Sequence, residues 1–383
     1  MLSGSPKPNP RTQRTGLNLE RERTKTVSKP PLRFGVMQLT MEPLEEILGH
    51  AHQLDANDFD TIWLAEAYPW WRKHQMEARS STALSALIGQ ETDKLTVGWG
   101  IISPYTRHPL TVAMEARVTQ ETAGEGRFRL GFGASKILMK AIGEGEGERK
   151  ARPLTAIKES IEIIQKVESG EAFEFEGREF SASVPALSDE AEAPRWKIPM
   201  YVAGTGPKMQ QLSGEIADGL LTASITTPDF VTYSRENMAI GAEKAGRDAD
   251  SLDVGCTLVA SIDEDRDKGR QGAREIAGMY LANKVQNIRG SADVLLDKAN
   301  LTMDEIAPIA EAMERGGRLA ASDAVSDEIL DKCVPIAGTP DECIEAVERY
   351  RDVGCTHIML ELWGEERDRQ IELFGKEVLP RFR

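Results

Sequence analysis

From residue 33 onward, short apolar runs rich in branched side chains alternate with longer stretches whose apolar residues recur at helical spacing. The short runs predict strands at Arg33–Leu39, Thr61–Ala65, Leu95–Ser103, Phe128–Gly133, Pro199–Gly204, Gly219–Ala223, Leu252–Ala260 and Thr356–Leu362. The longer ones predict helices at Pro43–Ala56, Ala78–Gln90, Leu110–Thr122, Leu154–Glu168, Pro207–Ile216, Pro228–Ala245, Arg266–Tyr280 and Pro340–Val353. Eight strands in strict alternation with eight helices imply parallel pairing through right-handed crossovers, and so an α/β chain folded as a closed (β/α)8 TIM barrel. The competing architecture, a doubly wound open sheet, lacks the GxGxxG turn expected after its first strand.

Three segments depart from the repeat. Phe173 to Phe180 alternates with period two around Glu176-Gly177, which predicts a small hairpin after the fourth helix. Residues 281–335 carry several short helical patterns before the last strand, an insertion too long for an ordinary connection and suited to a lid or an oligomer contact. Residues 1–32 hold seven Lys/Arg, two Glu and five Pro, which reads as a disordered basic tail ahead of a barrel domain spanning 33–383.

The whole chain is acidic, with 62 Asp/Glu against 47 Lys/Arg and a formal charge of -15, so nucleic acid and anionic membrane surfaces are not expected partners. No apolar run is long enough for a membrane helix, and the N-terminus lacks the apolar core of a signal peptide. Cys256, Cys333, Cys343 and Cys355 show neither CxxC spacing nor nearby paired histidines, which argues against a zinc site or a disulfide framework and for reduced, mostly buried thiols in a cytoplasmic protein.

In a barrel, chemistry collects where strands end. After strand two, Glu66 adjoins Tyr68, Trp70 and Trp71, aromatics able to wall a planar ligand or simply to pack beneath a loop, with Glu66 paired to a cation such as Arg72. Strand three places glycines on either side of Trp99, which suggests a bulge or a close approach of backbone to ligand. Arg107 and His108 follow it, as site residues or as surface ion-pair partners. Strand four ends in Gly133-Ala134-Ser135-Lys136, a small-residue turn with a lysine beside it. Strand five runs through Ala203-Gly204-Thr205-Gly206 into a helix starting at Pro207, where free backbone N–H groups and glycines suit a phosphate, or where Thr205 or Gly206 is a plain cap.

Taken in order, Gly100-Ile101-Ile102-Ser103-Pro104-Tyr105-Thr106-Arg107-His108-Pro109, Gly126-Arg127-Phe128-Arg129-Leu130-Gly131-Phe132-Gly133, Ala203-Gly204-Thr205-Gly206-Pro207-Lys208-Met209, Gly214-Glu215-Ile216-Ala217-Asp218-Gly219 and Ala337-Gly338-Thr339-Pro340 resemble the luciferase-like flavin and deazaflavin oxidoreductases. The nearest branch is the coenzyme F-420-dependent group that includes methylenetetrahydromethanopterin reductase. The resemblance implies a non-prolyl cis peptide at Gly100–Ile101 behind the cofactor ring, with Ser103 in the same motif. It further implies a cofactor phosphate on Ala203, Gly204, Thr205 and Gly206, and a ring-side loop at Ser135 and Lys136. It implies hydride transfer with a small organic substrate and a homodimer, with FMN-dependent monooxygenation as the rival chemistry. Many F-420-dependent members carry an Asp-His pair after strand two, where this chain has Glu66 and Ala67. Alanine moves no proton, so alcohol oxidation through that histidine is disfavoured, and Glu66 is left to orient the substrate or supply a proton. The same alanine keeps open a protein that binds the cofactor without turnover.

Overall fold

The computed structural model describes residues 32–66, 77–135, 138–139, 142–143, 151–187, 197–287, 293–363 and 366–383. The basic tail, Ala67 to Trp71 with their aromatic cluster, Arg72 and Lys136 lie outside the described residues. Leu32, at the predicted edge of the tail, is buried in the core of the barrel domain.

Eight parallel strands close on themselves: β1 (Arg33–Leu39), β2 (Thr61–Ala65), β3 (Thr96–Ile102), β4 (Phe128–Gly133), β7 (Met200–Ala203), β8 (Gly219–Leu221), β9 (Asp253–Ile262) and β11 (His357–Glu361). The ring shuts because β9 pairs with β8 on one side and with β11 on the other, which excludes the open doubly wound sheet. Two strands, β5 (Phe173–Glu176) and β6 (Ser181–Val184), form a separate antiparallel hairpin. Its turn is wider than Glu176-Gly177 because the Glu159 carboxylate accepts the N–H groups of Arg178, Glu179 and Phe180 and holds those residues out of the ladder. One further strand, β10 (Ile336–Gly338), pairs with the far end of the ten-residue β9. Three residues before a proline-started helix carry too little period-two signal to be read as a strand.

The barrel helices are α1 (Leu44–Ala56), α2 (Ser81–Glu91), α3 (Pro109–Ala123), α4 (Pro153–Ser169), α5 (Pro207–Ile216), α6 (Pro228–Lys244), α7 (Arg266–Asn287) and α11 (Pro340–Asp352), with α12 (Arg367–Leu373) after the last strand. Proline opens α3, α4, α5, α6 and α11, where its fixed φ fits and its missing N–H has no helical acceptor to lose. The insertion continues α7 past Tyr280 and adds α8 (Val294–Lys298), α9 (Met303–Asp323) and α10 (Asp327–Lys332). Leu281, Leu296, Ile306 and Ile309 of the insertion share one apolar core with Ile225 and Val259 beside the barrel mouth, with Trp363 packed against it. The insertion is therefore seated on the C-terminal end of β9.

Side chains inside the ring stack in layers. The N-terminal layer is polar: Asp253 pairs with Arg33 and accepts from the Tyr201 hydroxyl at 2.7 Å, while Thr61 Oγ1 lies 2.8 Å from His357 Nε2. Above it Trp63, Tyr201, Leu221 and Met359 fill the middle. A Cβ on Gly98 would come within 2.4 Å of the Trp63 ring, so this glycine makes room for a tryptophan inside the barrel and not for a ligand. Trp99 points outward and donates from Nε1 to Ser85 Oγ at 2.8 Å. Gly100 lies in the register shift between Trp99 and Ile102, where the Gly100–Ile101 peptide is cis.

Candidate functional site at the barrel mouth

Four of the uppermost inward positions of the ring are small. Ala65, Gly100, Gly133 and Ala203 stand where other layers carry tryptophan, tyrosine and leucine, and a Cβ on Gly133 would press Ile101 at 2.7 Å. Met37, Ile101 and Ala203 are only partly buried and lie on the middle-layer core. Together they make an apolar floor at the C-terminal mouth.

The predicted phosphate turn stands beside that floor. Thr205 and Gly206 follow β7, and Gly206 is the N-cap of α5 with no side-chain cap hydrogen bond. A Cβ on Gly206 would meet nothing within 4 Å, whereas one on Gly204 would strike Met209. The open space above Gly206 faces the positive end of the helix and fits an anion. Thr205 is thus not the cap.

Ser103 and Ser135 sit on adjoining strand ends. The buried Ser103 hydroxyl donates to the Ala134 carbonyl at 3.3 Å and ties β3 to β4. Ser135 has φ of 45°, and its hydroxyl accepts the N–H of Leu138 at 3.4 Å, so it forms the corner by which the chain turns away from the floor.

Glu66 faces Arg107. One guanidinium nitrogen, Nη1, reaches both carboxylate oxygens at 2.7 and 2.9 Å, while Arg107 Nε pairs with Glu115 on α3 at 3.1 Å. Burial pushes the Glu66 carboxyl above its ordinary range despite Arg107. His108 is structural: its Nδ1 accepts the N–H of Leu110 as the N-cap of α3, and its ring stands edge-on to Phe180 of the hairpin. All four cysteines are buried free thiols, and burial pushes Cys333 up to about 12.

One acidic residue of the mouth escaped the sequence reading. Glu361 ends β11 and points inward, in register with Met359 and His357, at 3% exposure. Ser224 Oγ and Tyr280 Oη each donate to its Oε1 at 2.8 Å. Burial pushes its carboxyl up to about 7. The available signal was a lone charge at the C-terminal end of an otherwise apolar strand, in His357-Ile358-Met359-Leu360-Glu361-Leu362.

The sequence model of the luciferase-like monooxygenases matches residues 27–357. The chain is similar to the 5,10-methylenetetrahydromethanopterin reductase of Archaeoglobus fulgidus, 28% identical over 92% of this chain and 100% of the relative. It is similar as well to an F-420-dependent glucose-6-phosphate dehydrogenase of Nakamurella multipartita, 29% identical over 93% of this chain and 98% of that one. Among solved structures, the coenzyme F-420-dependent tetrahydromethanopterin reductase of Methanopyrus kandleri superposes with a TM-score of 0.76 at 27% identity, covering 92% of this chain and all of the other. An F-420-dependent secondary alcohol dehydrogenase shares the fold with a TM-score of 0.72 at 20% identity, over 92% of this chain and 99% of that one.

Proposed function

The chain belongs to the luciferase-like monooxygenase family, whose members it matches along most of its length, and from that premise we propose a coenzyme F-420-dependent oxidoreductase of the methylenetetrahydromethanopterin reductase type. The observation that carries the reading is the pairing of an apolar floor of Met37, Ile101 and Ala203 with an uncapped helix start at Gly206 next to it. A deazaflavin with a phosphorylated side chain needs these two surfaces side by side. Similarity to relatives named for F-420 supports the same cofactor. Once bound, the reduced deazaflavin supplies the hydride.

The protein's own residues bind and orient. Thr205 and Gly206 offer backbone N–H groups to the phosphate, while Gly204, whose N–H is held by the Leu221 carbonyl, stands with Ala203 at the edge between phosphate and ring. Ile101 and Gly100 support the ring from below, Ser103 fixes the strand ends around it, and Ser135 borders it. Glu66, neutralised by Arg107, lines the substrate side. The substrate is a small organic molecule that exchanges hydride with the deazaflavin. Leu87, Met114 and Val118 expose apolar side chains on α2 and α3, and we assign that face to a second copy of the chain, in a homodimer working in the cytoplasm.

Fluorescence titration of the purified protein with F-420 and, separately, with FMN tests the cofactor. Micromolar binding of F-420 with no FMN binding is expected. Preference for FMN would move the protein to the oxygen-activating branch of the family, and binding of neither would overturn the assignment.

A further inference from the structure

Two buried carboxylates whose work is structural have donors on both oxygens. Glu159 accepts three backbone N–H groups on its two oxygens, and Glu66 has both oxygens on Arg107. Glu361 differs. Its Oε1 takes two hydroxyl donors from two other elements, Ser224 after β8 and Tyr280 on α7, while Oε2 is buried with no hydrogen-bond partner among the described residues. Trp363 lies against Tyr280, ring centroids 6.1 Å apart, and steadies that donor. The carboxyl is thus clamped along one edge and bare along the other.

The strand order fixes where this carboxyl stands. In the ring β11 lies opposite β4, and Glu361 occupies the top inward layer on the side of the mouth across from Gly133. A buried oxygen with no donor beside it is costly as a carboxylate and inexpensive as a protonated acid. Elsewhere at the mouth, Glu66 is locked to Arg107 and the next residue in sequence is alanine.

Resting on the oxidoreductase reading, we propose that Glu361 is the proton-exchanging residue of the site, presenting an O–H on Oε2 to the nitrogen or oxygen atom of the substrate that gains an electron pair. The substrate is then a carbonyl compound or an aminal. Its carbon receives hydride, with that electron pair, from the reduced deazaflavin. The C=O π bond or the C–N bond yields its electrons to the heteroatom, and the Glu361 O–H bond breaks to place the proton there. The carboxylate left behind is reprotonated from solvent, and the reverse reaction runs the same steps backward. Burial holds this carboxyl near neutrality, where the proton is both present and releasable. Tyr280, the titratable group in contact with it among the described residues, is itself kept neutral by burial.

The test is a difference infrared titration of the full chain, without cofactor, following the carbonyl stretch of protonated carboxyl groups, in wild type, Glu361→Gln and Tyr280→Phe. A band that titrates near neutral pH and disappears in Glu361→Gln is expected, with its midpoint higher in Tyr280→Phe because a donor to the ionised form is gone. A merely structural Tyr280 would change melting and leave the midpoint where it was. Oxidised F-420 added at pH 6 should shift the band, since Glu361 stands in the top inward layer of the barrel whose floor the ligand covers. Glu361→Gln should bind F-420 within about twofold of wild type and lower turnover by about a hundredfold or more, with methylenetetrahydromethanopterin or glucose-6-phosphate as the trial substrate. No titrating band in wild type, a band indifferent to bound F-420, or unchanged turnover in Glu361→Gln would overturn the proposal. Failure of wild type to bind F-420 would instead sink the cofactor reading, with the infrared midpoint still readable.

Discussion

Arg107 sets a single guanidinium nitrogen on both carboxylate oxygens of Glu66, joining the end of β2 to the loop that leads into α3. The Glu66 side chain is 6% exposed, so removing the arginine strands a buried carboxylate. Arg107→Ala should cost about 3 kcal/mol in chemical denaturation, and Arg107→Ala with Glu66→Gln should recover part of it. Burial already pushes the Glu66 carboxyl upward, so the folded state prefers its proton and stability falls as pH rises. The loss in Arg107→Ala should therefore be larger at pH 8 than at pH 5. Equal losses at both would mean that Glu66 is solvated in the variant.

Glu361 makes the same kind of statement more strongly. Unfolded, a glutamate loses its proton near 4.5; folded, this one holds it to about 7. A raised folded value contributes stability that is complete below the lower number and is lost as pH climbs through the higher one. The gap corresponds to about 3 kcal/mol. Glutamine keeps an oxygen for Ser224 and Tyr280 and cannot ionise. Glu361→Gln should match wild type at pH 4.5 to 5 and be more stable at pH 8 by an amount of that order, in urea unfolding at the two pH values.

The start of α5 separates a steric change from an electrostatic one. Gly206 has φ −84° and ψ 152°, which any residue adopts, and open space where a side chain would go. Gly206→Asp should cap its own helix and leave melting unchanged or slightly raised. It should weaken F-420 by about a hundredfold, because the new carboxylate takes over two charge-assisted N–H hydrogen bonds that together supply ~3 kcal/mol to the phosphate. Gly204→Asp is a poorer probe, since its Cβ meets Met209 and would disturb the turn whatever its charge. A Gly206→Asp protein that binds F-420 normally would remove the phosphate from this turn.

On α3, Met114 is 72% exposed and Val118 53% exposed on one face. Met114→Lys with Val118→Lys should convert a dimer into monomers in light scattering, with F-420 binding retained. A wild type that is already monomeric refutes the assignment of that face.

Local signals served best where strand and helix alternate. Thr61–Ala65, Phe128–Gly133 and Pro207–Ile216 have their predicted bounds because apolar runs bounded by turn residues leave the chain no other regular structure. The β10 strand was illegible because its stability comes from pairing along the overhang of β9, a non-local contact. The glycines around Trp99 read as a bulge or a ligand approach; the bulge is there, but the role of Gly98 was illegible for a similar reason, since the Trp63 ring it accommodates is on another strand. Glu361 carried a visible signal in its isolation within an apolar strand. Its meaning needed Ser224 and Tyr280, which are 137 and 81 residues away and meet it only once the barrel closes.

The opposite end of the barrel separates stability from binding. Asp253 is buried, accepts hydrogen bonds from Tyr201 and Thr356, and pairs with Arg33, while His357 Nδ1 stands 3.7 Å away. Burial alone would push its carboxyl up, but His357, Arg33 and Thr356 outweigh it and hold the group well below the usual carboxylate range. A depressed folded value contributes stability that is complete above the unfolded value near 3.8 and is lost as pH falls below it. Asp253→Ala leaves Arg33 without its partner and the Tyr201 hydroxyl without its acceptor, at a cost of about 4 kcal/mol. The N-terminal face of a barrel serves stability and the C-terminal face serves chemistry, so the variant should melt far lower yet titrate F-420 with near wild-type affinity at a temperature where it is folded. A large loss of affinity in folded Asp253→Ala protein would mean that the polar layer beneath Trp63 shapes the mouth above it.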